Sequence, residues 1–328
     1  MSTFDFSTTG PEVIERWGIS LAGKTAIITG ASTGTLGGTT AKALAAGNPS
    51  HIILLARSEA KVHDVKVTIT KSYPSTKCSF VPIELDNFDS VRDAADTIEH
   101  LLQSDDNGGS IDLLINNAGV MAIPWAKSKA GIEKTLAINH LGHFLLTGLL
   151  MPLLLKGESG SGGRVVNLSS AGYMMGPFRR DDWNFSDGET YHHLTAYAQS
   201  KTANILFTRG LAKRFGGKGL TAFAAHPGYI PDTSLVSHTT LNPAELDRVS
   251  RENTGQPFAP DPPKSLEQGI ATTLIAALSP ETKRQNGAYL VDCQVSDVRD
   301  YAKDPDLVDF LWELSEELVG GGFDCLEV

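Results

Sequence analysis

Seven short apolar runs, each trailed by a segment of helical character, restrict this chain more than any other feature. The runs are TAIIT (25–29), HIILLA (51–56), SFVPIEL (79–85), IDLLIN (111–116), RVVNLS (164–169), LTAFAAH (220–226) and GAYLVDC (287–293). Strands covered by helices on both faces read as unbroken apolar stretches, because neither face meets water. Helical patterning fills the intervals at 36–46, 59–71, 91–102, 130–154, 194–215 and 266–278. Strand and helix alternating at this spacing predict an α/β fold. The expectation is a single doubly wound parallel sheet of about seven strands with helices on both faces.

Pro82 lies inside the third run. Proline donates no ladder hydrogen bond and is confined to edge strands. The third strand is an edge in the Rossmann order 3-2-1-4-5-6, so proline and order agree. Two stretches break the alternation: 172–193, rich in aromatics, methionine and charge, and 230–264, rich in proline. Both follow the C-terminal ends of strands, where such sheets bind ligands, and are expected to form substrate loops. Residues 1–22 read as an N-terminal extension with a short helix near 11–17. Residues 23–300 read as the Rossmann-fold domain, and 301–328 as a tail with an amphipathic helix at 305–318.

With 41% hydrophobic and 20% charged residues over 328 positions, disorder and fibrous architectures are excluded. A net charge of −10 argues against nucleic acid or an anionic membrane as a general partner. Cys78, Cys293 and Cys325 are odd in number and widely spaced, which suits reduced thiols and offers no zinc spacing. No metal is expected. The first residues carry neither a basic nor an apolar leader segment, and the apolar stretch 144–155 is too short to span a bilayer. A cytoplasmic protein without a membrane anchor is expected.

Between the first strand and the next helix lies Thr29-Gly30-Ala31-Ser32-Thr33-Gly34-Thr35-Leu36-Gly37-Gly38. Glycines at a strand–helix junction let backbone approach a pyrophosphate, and the helix N-terminus supplies donors. A tight turn needing glycine for its own geometry is the plainer alternative. The second strand ends Leu55-Ala56-Arg57-Ser58, with no carboxylate for a ribose diol. Arg57 and Ser58 are therefore expected on a 2′-phosphate, favouring NADP(H). Glu59 keeps NAD(H) as the alternative, and Ser58 has a second reading as a helix cap.

Tyr197 and Lys201 stand four apart at the start of a helix, on one face. An ammonium beside a phenol lowers its pKa and makes it a usable acid or base. Ser170, after the fifth run, can donate to a carbonyl oxygen, or simply shape a turn. Asn116 and Asn117 end the fourth run, and Asn139 lies within the expected helix at 130–154.

Taken together, the T-G-x-x-x-G loop, Asn116-Asn117-Ala118-Gly119, Asn139, Ser169-Ser170, Tyr197-x-x-x-Lys201 and His226-Pro227-Gly228 resemble the short-chain dehydrogenase/reductase family over residues 22–295. The stretch 116–150 is most similar to its retinol-dehydrogenase-like and WW-domain-oxidoreductase-like branch. The resemblance implies a catalytic tetrad of Asn139, Ser170, Tyr197 and Lys201. It implies that Asp86 contacts the adenine, that Asn117 lines the cofactor cleft, and that Pro227-Gly228 approaches the nicotinamide. Gly30, Ser32, Thr33, Gly34, Leu36, Asn87, Ala118, Gly119, Ile230 and Thr233 complete the expected cofactor contacts, beside Arg57, Ser58, Tyr197 and Lys201. Three departures stand out. Both Thr35 and Leu36 precede Gly37, one residue more than the family loop. Ser170 and Tyr197 are 27 residues apart, and Thr233 comes one place late.

Met121, Tyr173, Met174, Trp183 and Tyr229 are expected in the substrate pocket, since methionine and aromatics make adaptable apolar walls. His192 and His193 suit a loop or helix-cap role better than substrate contact. The expected function is NADP(H)-dependent interconversion of a carbonyl and an alcohol on a bulky lipophilic small molecule. The alternatives are a cofactor-binding regulator without turnover, or a non-redox lyase or epimerase on the same scaffold. The apolar faces of the helices at 130–154 and 194–215 suggest a homodimer.

Overall fold

The computed structural model of the chain describes residues 4–103, 109–233, 235 and 242–323. Cys325, the end of the tail, and Ser234 with 236–241 of the second long loop lie outside the described residues. The strands are β1 (Thr25–Thr29), β2 (His51–Ala56), β3 (Lys77–Pro82), β4 (Leu113–Asn116), β5 (Arg164–Leu168), β6 (Thr221–Ala225), β7 (Tyr289–Val291) and β8 (Gln294–Ser296). They form one sheet in the order β3-β2-β1-β4-β5-β6-β7-β8. Every pairing from β3 to β7 is parallel. Pro82 ends the edge strand, where its missing donor costs no ladder bond.

The eighth strand is one more than the alternation implied. The chain turns back at the end of the last apolar run, so β7 and the β8 that follows it pair antiparallel. Asp292 and Cys293 make the turn with φ of 49° and 64°, the conformation that hairpin twist demands. Asp-Cys lacks the glycine that usually announces such a turn, so the run reads as one strand in sequence.

The major helices are α1 (Gly10–Trp17), α2 (Leu36–Ala45), α3 (Glu59–Ser72), α4 (Phe88–Gln103), α5 (Gly142–Leu149), α6 (His193–Phe215), α7 (Pro243–Thr254), α8 (Leu266–Leu278) and α9 (Pro305–Val319). Strand residues alternate between two cores, as their period of two requires. Ala26, Ile28, Ile52 and Leu54 face the layer of α1, α2, α3 and α8. Ile27, Ile53 and Leu55 face the layer of α4, α5, α6 and α9. The N-terminal extension belongs to the first layer, since a Cβ on Gly10 would strike Ile270 of α8.

The helix expected over 130–154 is broken. A short turn at Lys134–Leu136 runs into a π-helical turn at Ala137–Leu141, then α5, then a further short helix at Met151–Leu154 with Pro152 in its first turn. The loop over 230–264 holds α7, which its low hydrophobicity conceals. Its punctuation is present: Asn242 accepts from Ala244 N–H, Pro243 opens the helix and Gly255 closes it in the left-handed region. Among the described residues no helix is long and apolar enough to cross a membrane.

The apolar faces of α5 and α6 that suggested a dimer are covered by the chain's own tail. Trp312 of α9 packs on Phe144 of α5 and Phe207 of α6, with ring centroids 5.1 and 6.0 Å apart. Phe323 stacks on Phe215 and abuts Phe144. His140 Nε2 and Ser315 Oγ are 2.8 Å apart, adding a polar contact. Trp312→Ala is expected to destabilise the fold by about 3–5 kcal/mol through the cavity it leaves. Urea unfolding followed by circular dichroism reads this as a lower midpoint.

Candidate functional site

The glycine loop sets one wall of a cleft of about 660 Å³ at the C-terminal ends of β1, β4, β5 and β6. Gly30 has φ of 67°, and a Cβ there would lie 2.9 Å from Ala118 Cα. The extra residue of the loop is absorbed at α2. Thr35 Oγ1 donates to Ser32 O at 2.7 Å and accepts from Gly38 N at 3.3 Å, so it both folds the loop and caps the helix. Gly37 must be glycine, because a Cβ would come within 2.5 Å of Gly30 O and Asn117 Nδ2. Gly34 is a turn residue with φ of 74° and does not line the cleft. These features fit a dinucleotide: bare backbone on two adjoining loops, and the N-terminus of a ten-residue helix at the cleft.

Gly30, Ser32, Thr33 and Leu36 line this end with Arg57, Asp86, Asn117, Ala118 and Gly119. Asn117 Nδ2 donates to Thr29 O at 2.8 Å, tying the loop after β4 to β1. Lys61 and Asp64 of α3 join Arg57, and Lys134 forms an ion pair with Asp86 at 3.1 Å. Sequence reasoning missed these three, which no motif marks. Ser58 and Asn87 are not on the cleft wall. Ser58 sits exposed at the N-cap of α3, the alternative reading, though its side chain makes no cap bond. Asn87 O accepts Val91 N–H at the start of α4.

Ser170, Tyr197 and Lys201 meet where the loop after β5 crosses α6. Ser170 accepts from Gly172 N at 3.0 Å; burial raises the pKa of Tyr197, and the Ser170 hydroxyl opposes that rise. Burial wins and pushes Tyr197 up to about 12. Burial also pulls Lys201 down to about 8. Lys201 Nζ donates to Leu168 O at 3.1 Å and lies 5.5 Å from the Tyr197 ring centroid, so it does not grip the phenol as the spacing alone suggested. Gly172 escaped the sequence reading. A Cβ there would stand 2.7 Å from the Tyr197 ring.

Asn139 does not line the cleft. Its amide bonds Val120 through both N–H and C=O, at 2.8 and 2.9 Å, and donates to Ser200 Oγ at 2.9 Å. It therefore joins the loop after β4 to the helix of Tyr197. It occupies the π-helical turn, a distortion common at functional sites.

The other end of the cleft is apolar. Met121 and Tyr229 line it as expected, with Pro227, Gly228, Ile230 and Thr233 alongside. Met175, Leu235, Leu246 of α7 and Phe258 join them. Tyr173, Met174 and Trp183 do not line the cleft. Tyr173 is buried against Tyr289 and Tyr301, and its hydroxyl accepts from Arg299 N–H. Met174 packs in that cluster, and Trp183 packs on the main core while its carbonyl accepts from Gln199. Gln199 also accepts from Arg179 N, so the long insertion before Tyr197 is strapped to α6 two residues beyond the tyrosine. His192 and His193 also stand off the wall, stacked and facing Glu245 of α7. Among the described residues there is no cluster able to hold a metal ion.

Comparison with known proteins places this geometry. A family model described as short chain dehydrogenase matches residues 24–181. The chain is 36% identical over 306 residues to retinol dehydrogenase 12 of Bos taurus, covering 93% of this chain and 89% of that one. It is 35% identical over 300 residues to the chloroplastic short-chain dehydrogenase TIC 32 B of Brassica napus, covering 90% and 88%. A crystal structure of a protein from Mycobacterium paratuberculosis superposes with a TM-score of 0.69 at 32% identity, over 92% of this chain and 96% of that one. The NADPH-bound carbonyl reductase from chicken fatty liver shares the fold, with a TM-score of 0.59 at 20% identity over 84% and 99%.

Asn139→Ala strands the Val120 N–H and C=O and removes a donor from the Ser200 hydroxyl, which still bonds Tyr197 O. Unpaired buried polar groups cost about 1–3 kcal/mol each, and water reaches part of this loop, so a loss of roughly 2–3 kcal/mol is expected. A urea midpoint unchanged from wild type would contradict the joining role.

Proposed function

The chain belongs to the short-chain dehydrogenase/reductase family, in its retinol-dehydrogenase-like branch, and from that premise we propose that it is an NADP(H)-dependent oxidoreductase that interconverts a carbonyl and an alcohol on a bulky lipophilic small molecule. The observation that carries this reading is that Ser170, Tyr197 and buried Lys201 line one cleft together, where its polar and apolar halves join. NADP(H) held in the cleft would supply or accept the hydride. The chain's own residues handle the proton. With its pKa near 12, Tyr197 keeps its proton at neutral pH and is a donor to a carbonyl oxygen. Ser170 bonds the same oxygen and holds it over the phenol. The Lys201 cation favours the phenolate that forms as the proton leaves.

Arg57 and Lys61 support NADP(H) over NAD(H), since a guanidinium pairs with a 2′-phosphate and no carboxylate ends β2. Met121, Met175, Leu246 and Phe258 support a lipophilic substrate. Retinol dehydrogenase 12, by its name, also takes a lipophilic alcohol. The tail covering α5 and α6 supports a monomer rather than pairing through those helices. Sedimentation at micromolar concentration would show one species near 35.1 kDa.

NADPH consumption against a panel of bulky ketones and aldehydes tests the reading, with Tyr197→Phe beside wild type. Turnover lost in the variant, with NADPH binding retained, supports it. Wild type that binds NADPH but consumes none across the panel counts against it. Arg57→Ala should raise KM for NADPH roughly 10- to 100-fold, the value of one charge-assisted contact, and leave NADH use nearly unchanged. Reduction should hold its rate up to about pH 8 and fall above it as Lys201 loses its charge, read from the initial rate of NADPH consumption across pH 6–10.

A further inference from the structure

His226 follows directly on β6 with its ring almost wholly buried, and both ring nitrogens are engaged. Nε2 lies 2.8 Å from Asp261 Oδ2, and Nδ1 lies 3.3 Å from Gly228 N. A carboxylate only accepts and a backbone N–H only donates. The imidazole is therefore neutral with its proton on Nε2, and Nδ1 accepts from Gly228. Asp261 thus selects the tautomer that the Gly228 bond requires, in the way outer carboxylates orient histidines elsewhere.

The turn held this way is an unusual one. Gly228 has φ of 90°, and a Cβ on it would come 2.7 Å from Lys264 Cδ. Lys264 is itself buried and ion-paired to Asp292 at 2.6 Å. A strap over 260–264 crosses the turn with two tethers. One is backbone, Lys264 N to Tyr229 O at 2.8 Å beside a bridge between Tyr229 and Pro263. The other is the Asp261–His226 side-chain bond. Pro227, Gly228 and Asp261 all line the cleft, as do Ser170, Tyr197 and Lys201.

We infer that Asp261 and His226 form a positioning pair that holds the Pro227–Gly228 turn in the shape that receives the nicotinamide end of the cofactor. The inference rests on the dinucleotide reading of the cleft. The backbone tether survives substitution of Asp261, whose side chain is partly exposed, so the pair can be broken without unfolding the chain.

Nitrogen-15 spectra of histidine-labelled protein and NADPH titration by fluorescence test it together. In wild type His226 should show a protonated Nε2 and a bare Nδ1. Asp261→Ala should mix the tautomers and weaken NADPH roughly tenfold, the value of about 1.4 kcal/mol. His226→Asn places an acceptor where Nδ1 was and should keep affinity within about threefold. His226→Gln mimics Nε2, is closer to histidine in size, and should lose about tenfold. That order, with the smaller residue the better one, is not what space-filling alone would give. A proton on Nδ1 in wild type, or equal affinities for the asparagine and glutamine variants, overturns the pair while leaving the cofactor reading intact. A wild-type chain that binds no NADPH overturns both.

Discussion

A lysine ammonium removed from water must find oxygen, and the site is arranged around how Lys201 finds it. Its Nζ donates to the carbonyl of Leu168, the last residue of β5. The same carbonyl accepts from Asn204 one turn along α6, and Ser169 Oγ donates back to Lys201 O. Three bonds therefore fasten the end of the central sheet to the middle of one helix. Ser170 follows at once on the strand side and Tyr197 lies one turn back on the helix side. Their encounter needs no further device, because the clamp beneath them fixes both backbones.

The second constraint is the route by which β1 and β4 are brought into register with that clamp. Thr29 Oγ1 accepts from the N–H groups of Asn117 and Ala118, so its own proton is directed to His143 Nε2 at 2.9 Å. Burial pushes His143 down to about 4, leaving it neutral and free to accept there. Its other nitrogen then faces the carbonyl of Asn139 as a donor, at 3.2 Å. Asn139 continues the chain to Val120 and Ser200, and Ser200 Oγ donates to Tyr197 O at 2.8 Å. A continuous run of bonds thus connects the glycine-loop strand to the catalytic helix through a π-helical turn. Deleting any member leaves a buried polar group unpaired, which is why such networks specify one geometry rather than several.

What could be read from sequence follows the range of the interactions involved. β1 to β7 and the order of the sheet depend on local periodicity and stand where the patterns put them, while Gly34, Ser58 and Asn87 of the expected polar half lie off the cleft wall. Arg57, Asp86 and Asn117 are placed by the strand ends that carry them. The errors fall where the decisive contact is remote in sequence. Tyr173 looks like a pocket aromatic beside Ser170 but is claimed by Tyr289 and Tyr301 from the far end of the chain. Nothing in the sequence around Asn139 announces that its amide bonds Val120 and Ser200, 19 and 61 residues away. The faces of α5 and α6 look free until α9 arrives from beyond residue 304. Asp261 has no motif at all; only the strap over the Pro227–Gly228 turn gives it a partner.

These remote contacts also divide the cleft into two parts. The polar half is built from strand ends and glycine backbone, so a substitution there disturbs the sheet itself. The apolar half is built from α7, the strap after it and the turn beyond β6, none of which contributes to the two cores of the sheet. Leu246 and Val249 pack with Met121, Met175, Leu194, Tyr197 and Ala198 in a third, smaller cluster. The apolar wall therefore shares a helix with Tyr197, and α7 with its strap meets the polar half of the cleft at that residue.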